Sequence, residues 1–190
     1  MAEIQTRRLR LRQWQLGDAD PFAAMVADPE VMRYFPATLT RPQSDALLAK
    51  LHQRIDATGY GFWATERRDT GEFIGFVGLN VPDHPLPFAP CVEIGWRLVR
   101  SAWGQGLASE AARAALRFGF DTLKLGEVVS FTSQHNLRSQ AVMQRIGMRR
   151  DPGGDFLHPK LASDHWLAPH VLYRLTATDW QRGFDCGDGQ

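Results

Sequence analysis

One stretch limits the folds open to this chain more than any other: residues 93–110, EIGWRLVRSAWGQGLASE. Apolar residues alternate through Val92, Ile94, Trp96 and Leu98, which is the pattern of a strand. Two glycines follow, Gly104 and Gly106, and a helix begins near Ala108. A glycine-bearing turn between strand and helix lets backbone N–H groups approach an anion, and the helix start adds its positive dipole end. The plain alternative is a tight loop shaped by glycine. A Walker A loop is excluded, because Gly106 is followed by Leu107-Ala108 and not by Lys-Ser/Thr. Gly104-x-Gly106-x-x-Ser109 comes closer to a dinucleotide fingerprint, with Glu127 about 20 residues on. Glu127, however, precedes its strand, and a hairpin precedes this one, so the dinucleotide reading fails.

The surrounding pattern predicts a strand over Ile4–Trp14 and a helix from Gly17-Asp18 through Val26. A short helical piece is expected at Pro29–Tyr34, then a longer helix over Gln43–Thr58 that stops at Gly59. Gly61–Arg67 and Phe73–Asn80 read as a hairpin turning at Asp69-Thr70-Gly71. Pro82–Pro90 is too proline-rich for regular structure. Along the central helix Glu110, Arg113, Arg117, Asp121 and Lys124 form a polar stripe, while Ala111, Ala114, Ala115 and Phe118 form the apolar face. A strand over Val128–Thr132, a helix over Leu137–Ile146, a loop over 151–169 and a strand over His170–Leu175 complete the order. The fold class is α/β (α+β), a mixed, mostly antiparallel sheet with helices on both faces.

Composition narrows the function classes. The 190 residues suit one domain, taken as 1–182, with 183–190 as a loose tail. A net charge of +1 provides no basic stripe for nucleic acid. No apolar run approaches the ~20 residues of a membrane helix, and the N-terminus lacks the apolar block of a signal peptide. A cytoplasmic location is expected. Asp155, His158, Asp164, His165 and His170 match no ligand spacing, so no metal is expected.

Residues 103–108, Trp-Gly-Gln-Gly-Leu-Ala, resemble the acetyl-coenzyme A signature of the GNAT superfamily, with Trp103 in place of the usual first polar residue. Asn136-Leu137-Arg138-Ser139 followed by Ile146-Gly147-Met148 resembles the second motif, one helix and one strand away. The form WGQGLASEA, the opening TRRLRLRQW and the closing HVLYRL are similar to the RimJ/RimL-like branch. The resemblance implies a GNAT fold splayed at a cofactor slot and an N-acetyltransferase that uses acetyl-CoA as donor. Its acceptor would be a primary amine, on a protein N-terminus or a small molecule, and transfer would be direct in a ternary complex. Gly104, Gln105, Gly106, Leu107, Ala108 and Ser109 would cradle the pyrophosphate. Trp96, Arg97 and Leu98 would lie along the pantetheine, and Asn136 would hydrogen-bond it. Arg100 or Arg138 would meet the outer phosphate or simply face solvent.

Acetyl transfer needs an oxyanion donor, a base for the ammonium and an acid for the leaving thiolate. The backbone N–H near Leu98 is the implied oxyanion donor. Many family members place a tyrosine acid where this chain has Met143, so Ser139 is the substitute candidate, with helix capping as its plainer role. Glu93, an acid in an apolar strand, is the candidate base or else a paired structural charge. His135 is a further candidate. Phe156 and His158 are expected to line the acceptor pocket, with Gly153-Gly154 letting their loop move. A non-catalytic acyl-CoA-binding or sensing module is the alternative that Met143 raises. No nucleic-acid or membrane partner is expected, and a homodimer is compatible with the sequence.

Overall fold

Eight strands and five helices are present among residues 3–185, the part of the chain that the computed structural model describes. The backbone divides into two compact units, residues up to 80 with 95–115, and residues 81–94 with those from 116 on. In the first unit, β1 (Ile4–Gln5), β2 (Leu9–Arg12), β3 (Phe62–Arg67) and β4 (Phe73–Asn80) pair in that order, and β4 adjoins β5 (Glu93–Leu98). The single N-terminal strand expected from alternation is two. Thr6 breaks it, because its backbone N–H donates to Leu9 O and its hydroxyl accepts from Leu9 N–H, folding β1 back onto β2.

Helices α1 (Ala19–Ala27) and α2 (Arg41–Thr58) belong to this unit. Thr40 and Gln43 form a capping box at the start of α2, and Gly59 closes it in the left-handed conformation at φ 79°. The helical piece expected at Pro29–Tyr34 is a run of turns. Trp14, Phe22 and Trp63 are buried, with Trp14 meeting Phe22 edge-on at 5.1 Å. Arg12 is buried as well, held by Asp18 at 2.7 Å and by Glu66, pairs that raise its affinity for its proton despite the burial.

In the second unit β5 contributes its first residues, followed in spatial order by β6 (Glu127–Ser133), β8 (Pro169–Thr176) and β7 (Arg149–Leu157). β5 meets β6 in parallel, and β1–β2, β2–β3, β3–β4, β6–β8 and β7–β8 pair antiparallel. The expected loop over 151–169 begins instead as strand β7, which pairs with β8 on both sides of a bulge between Asp151 and Phe156. Helix α3 (Leu107–Arg117) buries Ala111, Ala112, Ala115 and Leu116, a face rotated slightly from the expected one. α4 (Leu137–Arg145) follows β6, and α5 (Ala177–Asp185) follows β8, where Trp180 stacks on Phe120 at 5.4 Å. α5 passes Gly183, and the rest of the expected tail, 186–190, lies outside the described residues. No helix among the described residues is long and apolar enough to cross a membrane.

Candidate functional site

The start of α3 is built by local bonds. β5 ends at Leu98, a 3₁₀ turn covers Arg100–Ala102, and the Trp103 indole N–H returns to Leu98 O at 2.9 Å. Gln105 Nε2 donates to Ser101 O at 2.6 Å. Gly104 and Gly106 take φ of 74° and 75°, conformations that L side chains adopt only under strain. The first bond inside the helix is Glu110 N–H to Gly106 O at 3.0 Å. The amides of Leu107, Ala108 and Ser109 donate to nothing among the described residues. The buried Ser109 hydroxyl lacks a partner too.

A distant segment buttresses this turn. Arg8 donates from Nη1 to Gln105 O at 3.0 Å and from Nε to Glu110 Oε2 at 2.6 Å. Thr6 Oγ1 and the Arg8 backbone N–H donate to Glu110 Oε1. Burial pushes the Glu110 carboxyl up, but these hydrogen bonds outweigh it and hold the group below its ordinary range. The carboxylate in the first turn is thus neutralised by Arg8. A free helix start, glycine approach and a matched acid fit a pyrophosphate. Sequence reasoning missed Arg8, whose partner lies 102 residues away. Arg100 and Arg138 are exposed.

Along β5 the predicted residues fall into both units. Trp96 is half-buried and Leu98 is buried. Arg97 places its guanidinium carbon 3.8 Å from the centroid of the Phe35 ring and 5.3 Å from that of Phe76. In the second unit the parallel ladder between β5 and β6 is one residue pair, Glu93↔Val129. Glu93 is half-buried, and the carbonyl of Ile94 accepts from the Ser130 hydroxyl at 2.9 Å.

The second motif closes the start of α4. Asn136 Oδ1 accepts from Ser139 N at 3.2 Å, and its Nδ2 donates to Thr132 Oγ1 at 3.1 Å and to Ser139 Oγ at 3.0 Å. The cap is therefore Asn136, not Ser139: among the described residues the Ser139 hydroxyl makes no bond to backbone and accepts from Asn136 Nδ2, so its own proton is not committed there. Met143 is buried in the core. His135 is exposed beside Trp166.

Phe156 and His158 come together in an aromatic cluster. Phe156 meets Phe88 edge-on at 5.2 Å and Phe131 at 5.8 Å, while His158 lies 4.8 Å from His170 and 5.2 Å from His84. Burial, and then the neighbouring His170, His84 and Lys160, push His158 down to about 4. Its Nδ1 accepts from the Lys160 amide at 3.3 Å, which leaves the proton of the neutral ring on Nε2. Burial lowers His170 as well. His84 and Phe88 come from the proline-rich loop, whose composition signalled irregularity and nothing about its contents. Gly154 is no hinge of a free loop. A Cβ there would lie 2.5 Å from Leu172 Cδ2, so any larger residue would have to displace the Leu172 side chain within the bulge of β7.

Comparison with known proteins defines the class. Residues 8–149 match the family model "Acetyltransferase (GNAT) domain". The chain belongs to the GNAT acetyltransferase family, and its eight-stranded, mostly antiparallel sheet with flanking helices is the fold of that family's solved members. A relative from Aspergillus fumigatus, FsC-acetyl coenzyme A-N(2)-transacetylase, is 34% identical over 82% of this chain and 68% of its own length. The [ribosomal protein uS5]-alanine N-acetyltransferase of Escherichia coli is 29% identical over 47% of this chain and 45% of its own, a likeness toward the RimJ-like side of the family. Among solved structures, an acetyltransferase from Agrobacterium tumefaciens superposes with a TM-score of 0.73 at 28% identity, covering 92% of this chain and 94% of that one. The chain is accordingly an acetyltransferase, and the family's donor is acetyl-CoA.

Proposed function

We propose that this chain moves the acetyl group of acetyl-CoA to a primary amine by direct attack. The observation that carries the reading is the start of α3, where Leu107, Ala108 and Ser109 hold three amides without acceptors among the described residues, behind two left-handed glycines. The pyrophosphate takes those amides. Trp96, Arg97 and Leu98 offer their backbone to the pantetheine as an added strand would, and Asn136 adds a polar contact. The amine nitrogen attacks the thioester carbonyl carbon, the C–N bond forms, and the oxyanion is met by the Leu98 N–H. Collapse breaks the C–S bond, and Ser139 gives the thiolate a proton. Glu93 takes the proton that the ammonium must lose, since amines with values of about 8 to 10.4 are mostly charged at neutral pH.

Acceptors on proteins and on other amines both have support, because the named relatives cover a ribosomal-protein alanine and an N(2) position. The test is release of free coenzyme A from acetyl-CoA in the presence of a panel of amines. Release that depends on the amine supports transfer. Tight acetyl-CoA binding without release on any amine would leave a binding module instead.

A further inference from the structure

Residues 32–47, the connection from α1 and the first turns of α2, form the wall of a pocket of about 300 Å³ within the first unit. Met32, Phe35, Leu39 and Leu47 make it largely apolar, Gln43 adds an amide, and one charged group enters it, Arg97 from β5. That volume is at the low end for small-molecule sites and suits a ligand the size of an amino acid.

Arg97 is poorly served by the protein itself. Its Nε and Nη1 are buried and donate to nothing among the described residues, and no carboxylate there pairs with it. Burial pulls its affinity for a proton down to about 10, which still leaves it charged at neutral pH. Phe35, 3.8 Å away, stacks on the face of the guanidinium. Hydrogen bonds from a guanidinium lie in its plane, so the ring satisfies none of them. Arg97 is half-buried as a whole, but a cation with two buried N–H groups and no in-plane acceptor among the described residues is costly, and a fold that needed the charge only for its own stability would supply a carboxylate, as it does for Arg12. Apolar walls around one unanswered cation are what a ligand with an apolar body and an anionic group would complete. Arg97 also sits between Trp96 and Leu98, the residues proposed to face the pantetheine.

We infer that this pocket receives the acceptor, and that the acceptor is an amino-acid-like amine with an apolar or aromatic side chain and a free carboxylate gripped by Arg97. The planar fork of arginine matches a carboxylate in two parallel hydrogen bonds, and the acceptor's amine then stands within one amino-acid length of β5. This rests on the acetyl-transfer reading and names its substrate class.

The experiment compares coenzyme A release by the full chain with leucine, methionine and phenylalanine against release with their carboxamides. The carboxamides keep the amine and the side chain and lose the negative charge. The expected result is a kcat/KM roughly 10- to 100-fold higher for the acids, the range set by hydrogen bonds to a charged partner. Arg97→Gln should level the two series by raising KM for the acids, and Arg97→Lys should restore part of the preference. Calorimetry of phenylalanine and its carboxamide on the wild-type chain covers the case in which the variants do not fold. There the acid should bind and the carboxamide should bind at least tenfold more weakly. Equal use of acids and carboxamides, or a preference that survives Arg97→Gln, overturns the inference while acetyl transfer stands. No release with any amine overturns both.

Discussion

Helix α3 and helix α4 follow the two motifs that carry the family likeness, and they begin differently. At α3 the chain arrives through two left-handed glycines, and among the described residues no side chain caps the first turn and three amides have no acceptor. At α4 the same need is met at once, with Asn136 Oδ1 on the Ser139 amide and Asn136 Nδ2 on two hydroxyls. One start forgoes the stability a cap supplies and is left for an anion. The other is closed by its own residues and keeps a hydroxyl proton in hand. On the proposed reading, one helix start serves binding and the other proton delivery, according to whether a side chain has already taken the amides.

The largest effect is expected at α4. Ser139→Ala should lower turnover by about 10²–10⁴-fold, the usual worth of one general acid, with a much smaller change in the affinity for acetyl-CoA. Wild-type turnover in that variant would return protonation of the thiolate to water or to another group. At α3 the expected loss is in binding. Gly106→Val should weaken acetyl-CoA by about 100-fold or more by calorimetry, because a branched side chain rarely adopts φ of 75° and the amides behind it would be re-aimed. Circular dichroism should show the fold retained, since a Cβ at Gly106 comes no nearer than 3.7 Å to another side chain.

A smaller effect separates the two starts by stability. Asn136→Ala removes a cap and should cost about 1 kcal/mol in denaturant unfolding. The aromatic cluster offers the mildest effects. His158 makes stability depend on pH. Its value of about 4 in the folded chain lies below the ordinary 6.5, so the unfolded chain takes up the proton first as pH falls. The stability it contributes is present above about pH 6.5 and is lost as pH falls toward 4. His158→Phe should melt with a shallower dependence on pH across that window.

What the sequence made legible is local. The strand, glycine turn and helix of residues 93–110 were readable because alternation, glycine spacing and apolar faces all lie within one short stretch. The hairpin at Asp69–Gly71 and the closure of α2 at Gly59 were readable for the same reason. Strand β7 was hidden because Pro152-Gly153-Gly154 signals a loop, while pairing with β8 on both sides of the bulge overrides that signal. The break between β1 and β2 was hidden because a threonine makes it, inside a pattern that still alternates. The rest of the site depends on contacts across the chain. Arg8 reaches Gln105 and Glu110, and Arg97 enters a pocket walled by residues 32–47. No pattern within a window of sequence announces either.

Amide hydrogen exchange read by NMR tests the open start of α3. Without cofactor, the Leu107, Ala108 and Ser109 amides should exchange near the rate of unbonded amides, while the Ser139 amide is slowed by Asn136. Saturating acetyl-CoA should protect the three α3 amides. Protection of those amides before acetyl-CoA is added, or no protection after it, would contradict the assignment of this helix start as the pyrophosphate site.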